Sequence, residues 1–174
     1  VGVLTRDKRM YAHYLSGEDA EQLNDENLEL VAMTEQGRTL RFTAEDFTDP
    51  STVKGRMFMR LDDGDQTVNV EPSTGEELVS IASRDGRGLN YRVDEISQYK
   101  GVAKGVMAMS LEDGDEILDF TLVTDKYDGL EVETNNGRRE VIRRTKSKFE
   151  PTSRGNKGYL IIQRGHLIRS HRPP

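Results

Sequence analysis

The 174-residue chain contains no cysteine, which excludes disulfide frameworks and every thiolate metal site. Long apolar runs are missing too, and none approaches the roughly 20 residues needed to span a membrane. The opening stretch VGVLTRDKRMYAHYL lacks an apolar segment followed by a small-residue cleavage site, so no secretory signal is visible. Histidines number only three (His13, His166 and His171), and their spacing suits no zinc site. No GxSxG nucleophile turn occurs, and neither GVAKG nor SRGNKG has the spacing of a Walker phosphate loop. No catalytic constellation remains. The expectation is a cytoplasmic domain with no cofactor, no metal and no chemistry of its own.

What the chain does have is charge, unevenly distributed. The total is −6, yet Arg138 to Pro174 carries 11 Lys/Arg against the two acids Glu140 and Glu150. The preceding 137 residues hold 14 Lys/Arg and 29 acids. Such a split suggests that one end meets a polyanion, or that the basic end pairs with the chain's own acidic surface.

It also has a repeat. GRMFMRLDDGDQTVNV (55–70) and GVMAMSLEDGDEILDF (105–120) are near copies. Gly64, Gly114 and Gly165 of QRGH lie 50 and 51 residues apart, so QRGH reads as a third copy with Arg164 and His166 in place of the acids. A second series, TEQGR, SRDGR and TNNGR, ends at Arg38, Arg87 and Arg138. A weaker member, TRDKR, ends at Arg9. The chain reads as one domain over 1–174, with a partial unit over 1–28 and full units over 29–76, 77–126 and 127–174.

Each full unit has the same grammar. An apolar strand (LELVAM, ELVSIA, GLEVE) meets a Gly turn and returns as a second strand (RTLRF, GLNYRV, REVIRR). A polar loop, a third strand, the Asp-Gly turn and a fourth strand follow. Period-2 alternation broken by Asn-Gly and Asp-Gly is a hairpin signature, giving two hairpins per unit. A fixed period near fifty then implies four-stranded blades in an all-β, propeller-like array. Only SGEDAEQLNDEN (16–27) reads as a loop or short helix, and Pro50, Pro72 and Pro151 are placed in connecting loops.

The DGD phrases do not match a calcium loop, whose Gly and Glu belong at positions six and twelve; a tight turn with glycine at φ > 0 suits them better. The basic loops are more suggestive. Lys54/Arg56, Lys100/Lys104 and Arg154/Lys157 precede the third strand of each unit, and Arg41, Arg92 and Arg143 recur on the second. Equivalent places in successive blades share one rim, where cations neutralise phosphates without reading bases. In the first two units the acidic surroundings favour ordinary solubilising residues. In the third, RREVIRRTKSK with SRGNK makes a dense cluster.

These units resemble the C-terminal β-pinwheel domain of gyrase A, the DNA-cleaving component of DNA gyrase, and its topoisomerase IV counterpart. The likeness rests on TEQGRTLRF, KGVAKGVMAMSLEDGDEI and SRGNKGYLII, and runs from Leu28 onward, more weakly from Val1. It implies a β-pinwheel of about four blades, the first incomplete or completed by the C-terminal segment. It implies a non-catalytic domain that binds and bends duplex DNA on its outer rim, beside the cleavage core of a parent ATP-dependent topoisomerase on the nucleoid. The residues so implicated are Lys54, Arg56, Lys100, Lys104, Arg138, Arg139, Arg143, Arg144, Lys146, Lys148, Arg154 and Lys157. The sequence departs from the family in lacking a QRRGGRG-like box, in its acidic balance and in having three and a half units. None of its six tyrosines follows an arginine, as the cleavage tyrosine of the family does. The alternative is an acidic protein-interaction or regulatory propeller without strong DNA binding.

Overall fold

The structure, a computed structural model, describes residues 2–4, 10–12, 28–43, 45, 56–124, 128–143 and 149–171. Among these residues the strands in chain order are β1 (Gly2–Leu4), β2 (Met10–Ala12), β3 (Glu29–Thr34), β4 (Arg38–Thr43), β5 (Thr67–Ser73), β6 (Leu78–Ser83) and β7 (Arg87–Arg92). They continue as β8 (Gln98–Tyr99), β9 (Val106–Met107), β10 (Ile117–Val123), β11 (Gly129–Thr134), β12 (Arg139–Arg143), β13 (Tyr159–Leu160) and β14 (Leu167–His171). The fold is all-β, with a one-turn 3-10 helix at Val93–Glu95.

The first hairpin of each unit forms where the sequence places it, and always in the same register. The last pairs before the turn are Met33↔Thr39, Ala82↔Gly88 and Glu133↔Arg139. The five residues between them are TEQGR, SRDGR and TNNGR. Strands β1 and β2 pair identically, with Leu4↔Met10 flanking TRDKR. The hydroxyl that opens each full-unit turn explains the recurring Ser/Thr. Thr34 Oγ1, Ser83 Oγ and Thr134 Oγ1 accept the Arg38, Arg87 and Arg138 N–H groups at 3.2, 3.3 and 3.0 Å. A side chain that bonds backbone four residues on holds a turn that the ladder alone leaves open.

The expected second hairpin is not formed among the described residues. β5, β10 and β14 pair with the first strand of their own units, β3, β6 and β11. The short third strands go elsewhere. β9 pairs with β4, and β13 with β7, each reaching into the preceding unit. β8 also lies along β4, in parallel. The sheets are therefore β5-β3-β4 edged by β8 and β9, then β10-β6-β7-β13, then β14-β11-β12. The Asp-Gly turn of unit two runs from β9 in the first sheet to β10 in the second rather than joining antiparallel neighbours.

Close approach explains the glycine before each outer strand. A Cβ on Gly105 would stand 2.3 Å from the Thr39 carbonyl oxygen, and one on Gly158 2.4 Å from that of Gly88. Both glycines also have φ near +70° (75 and 69), which only glycine adopts without strain. Thr39 and Gly88 are equivalent positions, so the Lys-Gly elements of units two and three dock in the same way on the unit before.

Pro72 lies in β5 opposite Leu30 and not in a connecting loop. β5 is the end strand of its sheet, where a missing N–H is tolerated. Pro50 and the segment 16–27 fall outside the described residues.

The core is layered between sheets. Val31, Met33, Val79, Ile81, Leu89, Tyr91, Phe120 and Leu122 form one cluster joining the first two sheets. Ala82, Leu130, Val132, Ile142, Phe149, Ile161 and Leu167 join the second to the third. A third cluster covers the far side of the first sheet, where Phe42 stacks on Phe58 at 5.1 Å between ring centroids.

Candidate nucleic-acid interface

Strand exchange puts the basic loops on the outer edges of successive sheets. Lys100 and Lys104 flank β8 and β9 on the edge of the first sheet, and Arg154 and Lys157 lead into β13 on the second. Arg139 and Arg143 lie on β12, the outer strand of the third. Lys104 and Lys157 are equivalent, each preceding the glycine that docks on the neighbouring unit. Arg56 is exposed just before the Met59↔Ala103 bridge. Lys54, Arg144, Lys146 and Lys148 fall outside the described residues.

Most of the candidate cations among the described residues are already paired. The Lys104 Nζ lies 2.7 Å from Asp62 and the Lys157 Nζ 2.8 Å from Glu112. Arg139 meets Glu131 at 3.0 Å, Arg143 meets Asp128 at 3.6 Å, and Arg138 meets Glu140. The hydrogen-bonded Lys157 ammonium holds the Glu112 carboxyl below the usual carboxylate range. Arg154 has a bracing geometry: its N–H bonds Glu95 Oε2 at 2.8 Å, its Nε the Glu95 carbonyl at 3.2 Å, and its Nη1 the Met107 carbonyl. Lys100 makes no ion pair among the described residues. Beside the cations, Met57, Met107 and Leu160 are exposed.

The second-strand arginines are not one series. In the hairpin registers Phe42, Tyr91 and Ile142 are equivalent, opposite Leu30, Val79 and Leu130. Arg92 and Arg143 therefore match Thr43, while Arg41 matches Asn90. Arg41 sits two positions before that place, on the same face of its strand, and packs, largely buried, 3.4 Å from Glu29.

The aspartate after the glycine of each acidic phrase has a defined task. Asp65 Oδ1 accepts the Gln36 and Gln66 N–H groups at 3.0 and 2.9 Å. Asp115 Oδ1 accepts those of Asp85 and Glu116 at 2.9 and 2.8 Å. Each carboxylate ties the Asp-Gly turn to the hairpin turn of its own unit, with Gly64 and Gly114 at positive φ just before it.

QRGH is not a third version of that turn. Thr67, Ile117 and Leu167 pair with the equivalent residues Thr34, Ser83 and Thr134. Met107 and Leu160 likewise pair with the equivalents Arg38 and Arg87. Ten positions separate Met107 from Ile117 but only seven separate Leu160 from Leu167, so three residues of the turn are gone. Arg164 and His166 do not stand where the aspartates stood. Within the third hairpin turn Asn136 Oδ1 accepts the Arg138 N–H at 3.3 Å and the Thr134 hydroxyl.

Two inner-strand carboxylates escaped the sequence reading. Glu71 on β5 accepts the Leu122 N–H of β10 at 2.8 Å, and Asp119 on β10 accepts the Ser170 hydroxyl of β14. They tie neighbouring sheets along their inner strands. An acid inside an apolar alternation (TVNVEP, ILDFTL) was the available signal.

Strand-exchanged antiparallel sheets joined by crossovers define a propeller-like β-pinwheel. Residues 28–74 and 77–124, more than half of the chain, match the family described as the DNA gyrase C-terminal domain, beta-propeller. The chain belongs to that family. It is 28% identical over 152 residues to the gyrase A protein of Kosmotoga olearia, covering 83% of this chain and 18% of that protein. To the gyrase A protein of Escherichia coli it is 24% identical over 140 residues, covering 80% and 15%. The chain thus spans less than a fifth of the curated relatives it matches. Among solved structures, the C-terminal domain of DNA topoisomerase IV superposes with a TM-score of 0.73 at 24% identity, covering 83% of this chain and 46% of that one. A DNA gyrase A C-terminal domain gives 0.69 at 21% identity, covering 86% and 50%. These likenesses establish the fold. Among the described residues no helix is long and apolar enough to cross a membrane.

Proposed function

We propose that this domain is the non-catalytic DNA-binding and DNA-bending part of a type IIA topoisomerase of the gyrase A or topoisomerase IV kind. It engages duplex DNA through phosphate contacts on the outer edges of its sheets, independently of base sequence. The cleavage core of the parent enzyme is its protein partner, the ATP-dependent chemistry lies elsewhere in that enzyme, and it works in the cytoplasm on the nucleoid. The observation that carries this reading is the recurrence of cations on the outer edges of three successive sheets, in a chain of the gyrase C-terminal family. Lys100, Lys104, Lys157, Arg139 and Arg143 are the residues proposed to meet phosphates, with Arg56, Arg138, Lys54, Arg144, Lys146 and Lys148 beside them. Arg154 is proposed to brace the loop that presents Lys157.

Titration of a fluorescent 40-base-pair duplex at several KCl concentrations tests the reading. Affinity falls steeply with salt, and the Lys100→Glu/Arg143→Glu/Lys157→Glu variant lowers the log–log slope by about one per cation, alike for unrelated sequences. Absence of binding by the wild-type chain at the lowest salt counts against it. Capture of the cleavage core at high salt, with no DNA shift, would instead support an acidic protein-interaction propeller.

A further inference from the structure

Asp62 and Glu112, the first acids of the two Asp-Gly turns, are half-buried and exposed respectively, yet neither projects freely into solvent. Asp62 of unit one holds Lys104 of unit two at 2.7 Å, and Glu112 of unit two holds Lys157 of unit three at 2.8 Å. Glu112 also lies 4.0 Å from Arg87. The acids are equivalent, each standing five residues before the residue, Thr67 or Ile117, that pairs with the start of its unit's hairpin turn. The lysines are equivalent, each preceding the glycine that docks on the preceding unit. One ion pair is therefore built twice, each time across a unit boundary.

We infer that Asp62 and Glu112 are internal competitors for duplex DNA, occupying Lys104 and Lys157 in place of phosphate and so setting the affinity of the outer edge. The inference rests on the outer-edge reading above. Its physical basis is the accessibility of the pairs: the lysine side chains are 50% and 62% exposed and the acids 43% and 52%. Exposed ion pairs of this kind are weak and screened by salt. A phosphate that brings counterion release can displace the carboxylate. The negative charge of each acid nevertheless has to be moved or solvated beside the incoming DNA, which lowers affinity. The third crossover, three residues shorter, carries no such acid: Ile162 and Gln163 precede Arg164 there. The restraint belongs to the two acidic turns alone.

Asp113 provides an internal control. It is exposed, adjoins Glu112 and makes no ion pair among the described residues. Duplex affinity of the whole chain is compared for wild type, Glu112→Gln, Asp62→Asn/Glu112→Gln and Asp113→Asn between 50 and 200 mM KCl. Each freed lysine that reaches a phosphate adds about 0.9 to the slope of log affinity against log salt, a factor of roughly 3 over that range. Glu112→Gln is expected to bind roughly threefold tighter at 50 mM, the double variant roughly tenfold, and Asp113→Asn distinctly less than Glu112→Gln. Adding Lys104→Gln/Lys157→Gln to the double variant is expected to abolish the gain.

Binding by wild type with equal gains for Glu112→Gln and Asp113→Asn, or with no gain in either, overturns this inference and leaves the DNA reading standing. Failure of both wild type and the double variant to bind at 50 mM overturns both. Binding by the double variant alone supports a restraint strong enough to mask the edge.

Discussion

At the scale of single residues, the carboxylates of this domain are distinguished by what surrounds them. Asp115 is 8% exposed and accepts two backbone N–H groups from two different turns. Asp115→Ala leaves both donors without that acceptor at a mostly buried position, at a cost of about 1–3 kcal/mol. Asp115→Asn keeps an acceptor and costs less; urea unfolding followed by circular dichroism separates the two. Glu77 behaves differently because its role can be titrated. Burial raises its pKa, but the Thr74 N–H, the Ser73 hydroxyl, its own N–H and the Thr74 hydroxyl outweigh that, so the carboxyl sits below its usual range. A carboxyl depressed on folding contributes stability above its unfolded pKa, and this is lost as pH falls through the folded one. The wild-type chain is expected to lose stability on acidification from about pH 5 downward. Glu77→Gln is expected to be less stable at neutral pH and to show a shallower acid limb in urea midpoints measured from pH 7 to 3.

At the scale of elements, the outer strands are short and need close docking to pair at all. β9 and β13 contribute two residues each, held in register by a glycine pressed against a carbonyl of the preceding unit. Gly105→Ala combines a left-handed φ with a Cβ at 2.3 Å from backbone, and is expected to destabilise by more than about 2 kcal/mol. Gly101→Ala, at a similar φ of 77 in open space, is expected to cost only about 1 kcal/mol. Comparison of their urea midpoints isolates docking from backbone strain. The hairpins are legible from sequence because turn, hydroxyl and alternation lie within five residues of one another. The outer strands are misassigned from sequence because their partners lie in another unit: Val106 pairs with Thr39, and Tyr159 with Gly88. Period-2 alternation identifies a strand but not its neighbour.

At the scale of the whole molecule, stability comes from clusters shared between sheets, as in other repeat architectures where each unit contacts its neighbours. Phe149, 1% exposed, closes the cluster between the second and third sheets, and its carbonyl accepts the Asn90 side-chain N–H at 2.8 Å. Phe149→Ala is expected to cost about 3–5 kcal/mol. Amide protection in β11 and β12 is expected to fall well before that in β3 and β4, as read by hydrogen exchange. Equal loss throughout would show that the sheets unfold as one unit.

The order of residues alone carries the all-β class, the fifty-residue period, the hairpin turns of the three full units, and the family likeness. Each of these is encoded locally, by alternation, by glycine and by a hydroxyl four residues before an arginine. Three matters emerge only when the sheets pack. The Asp-Gly turn of unit two is a crossover between sheets, QRGH is a shortened crossover rather than a charge-reversed copy, and most of the described candidate cations are held by acids. Strand partners and ion partners here lie in different units; Lys157 and Glu112 are 45 residues apart. No local pattern specifies which distant backbone edge or carboxylate a residue meets. Strand exchange settles it, by bringing the acidic phrase of one unit against the Lys-Gly element of the next.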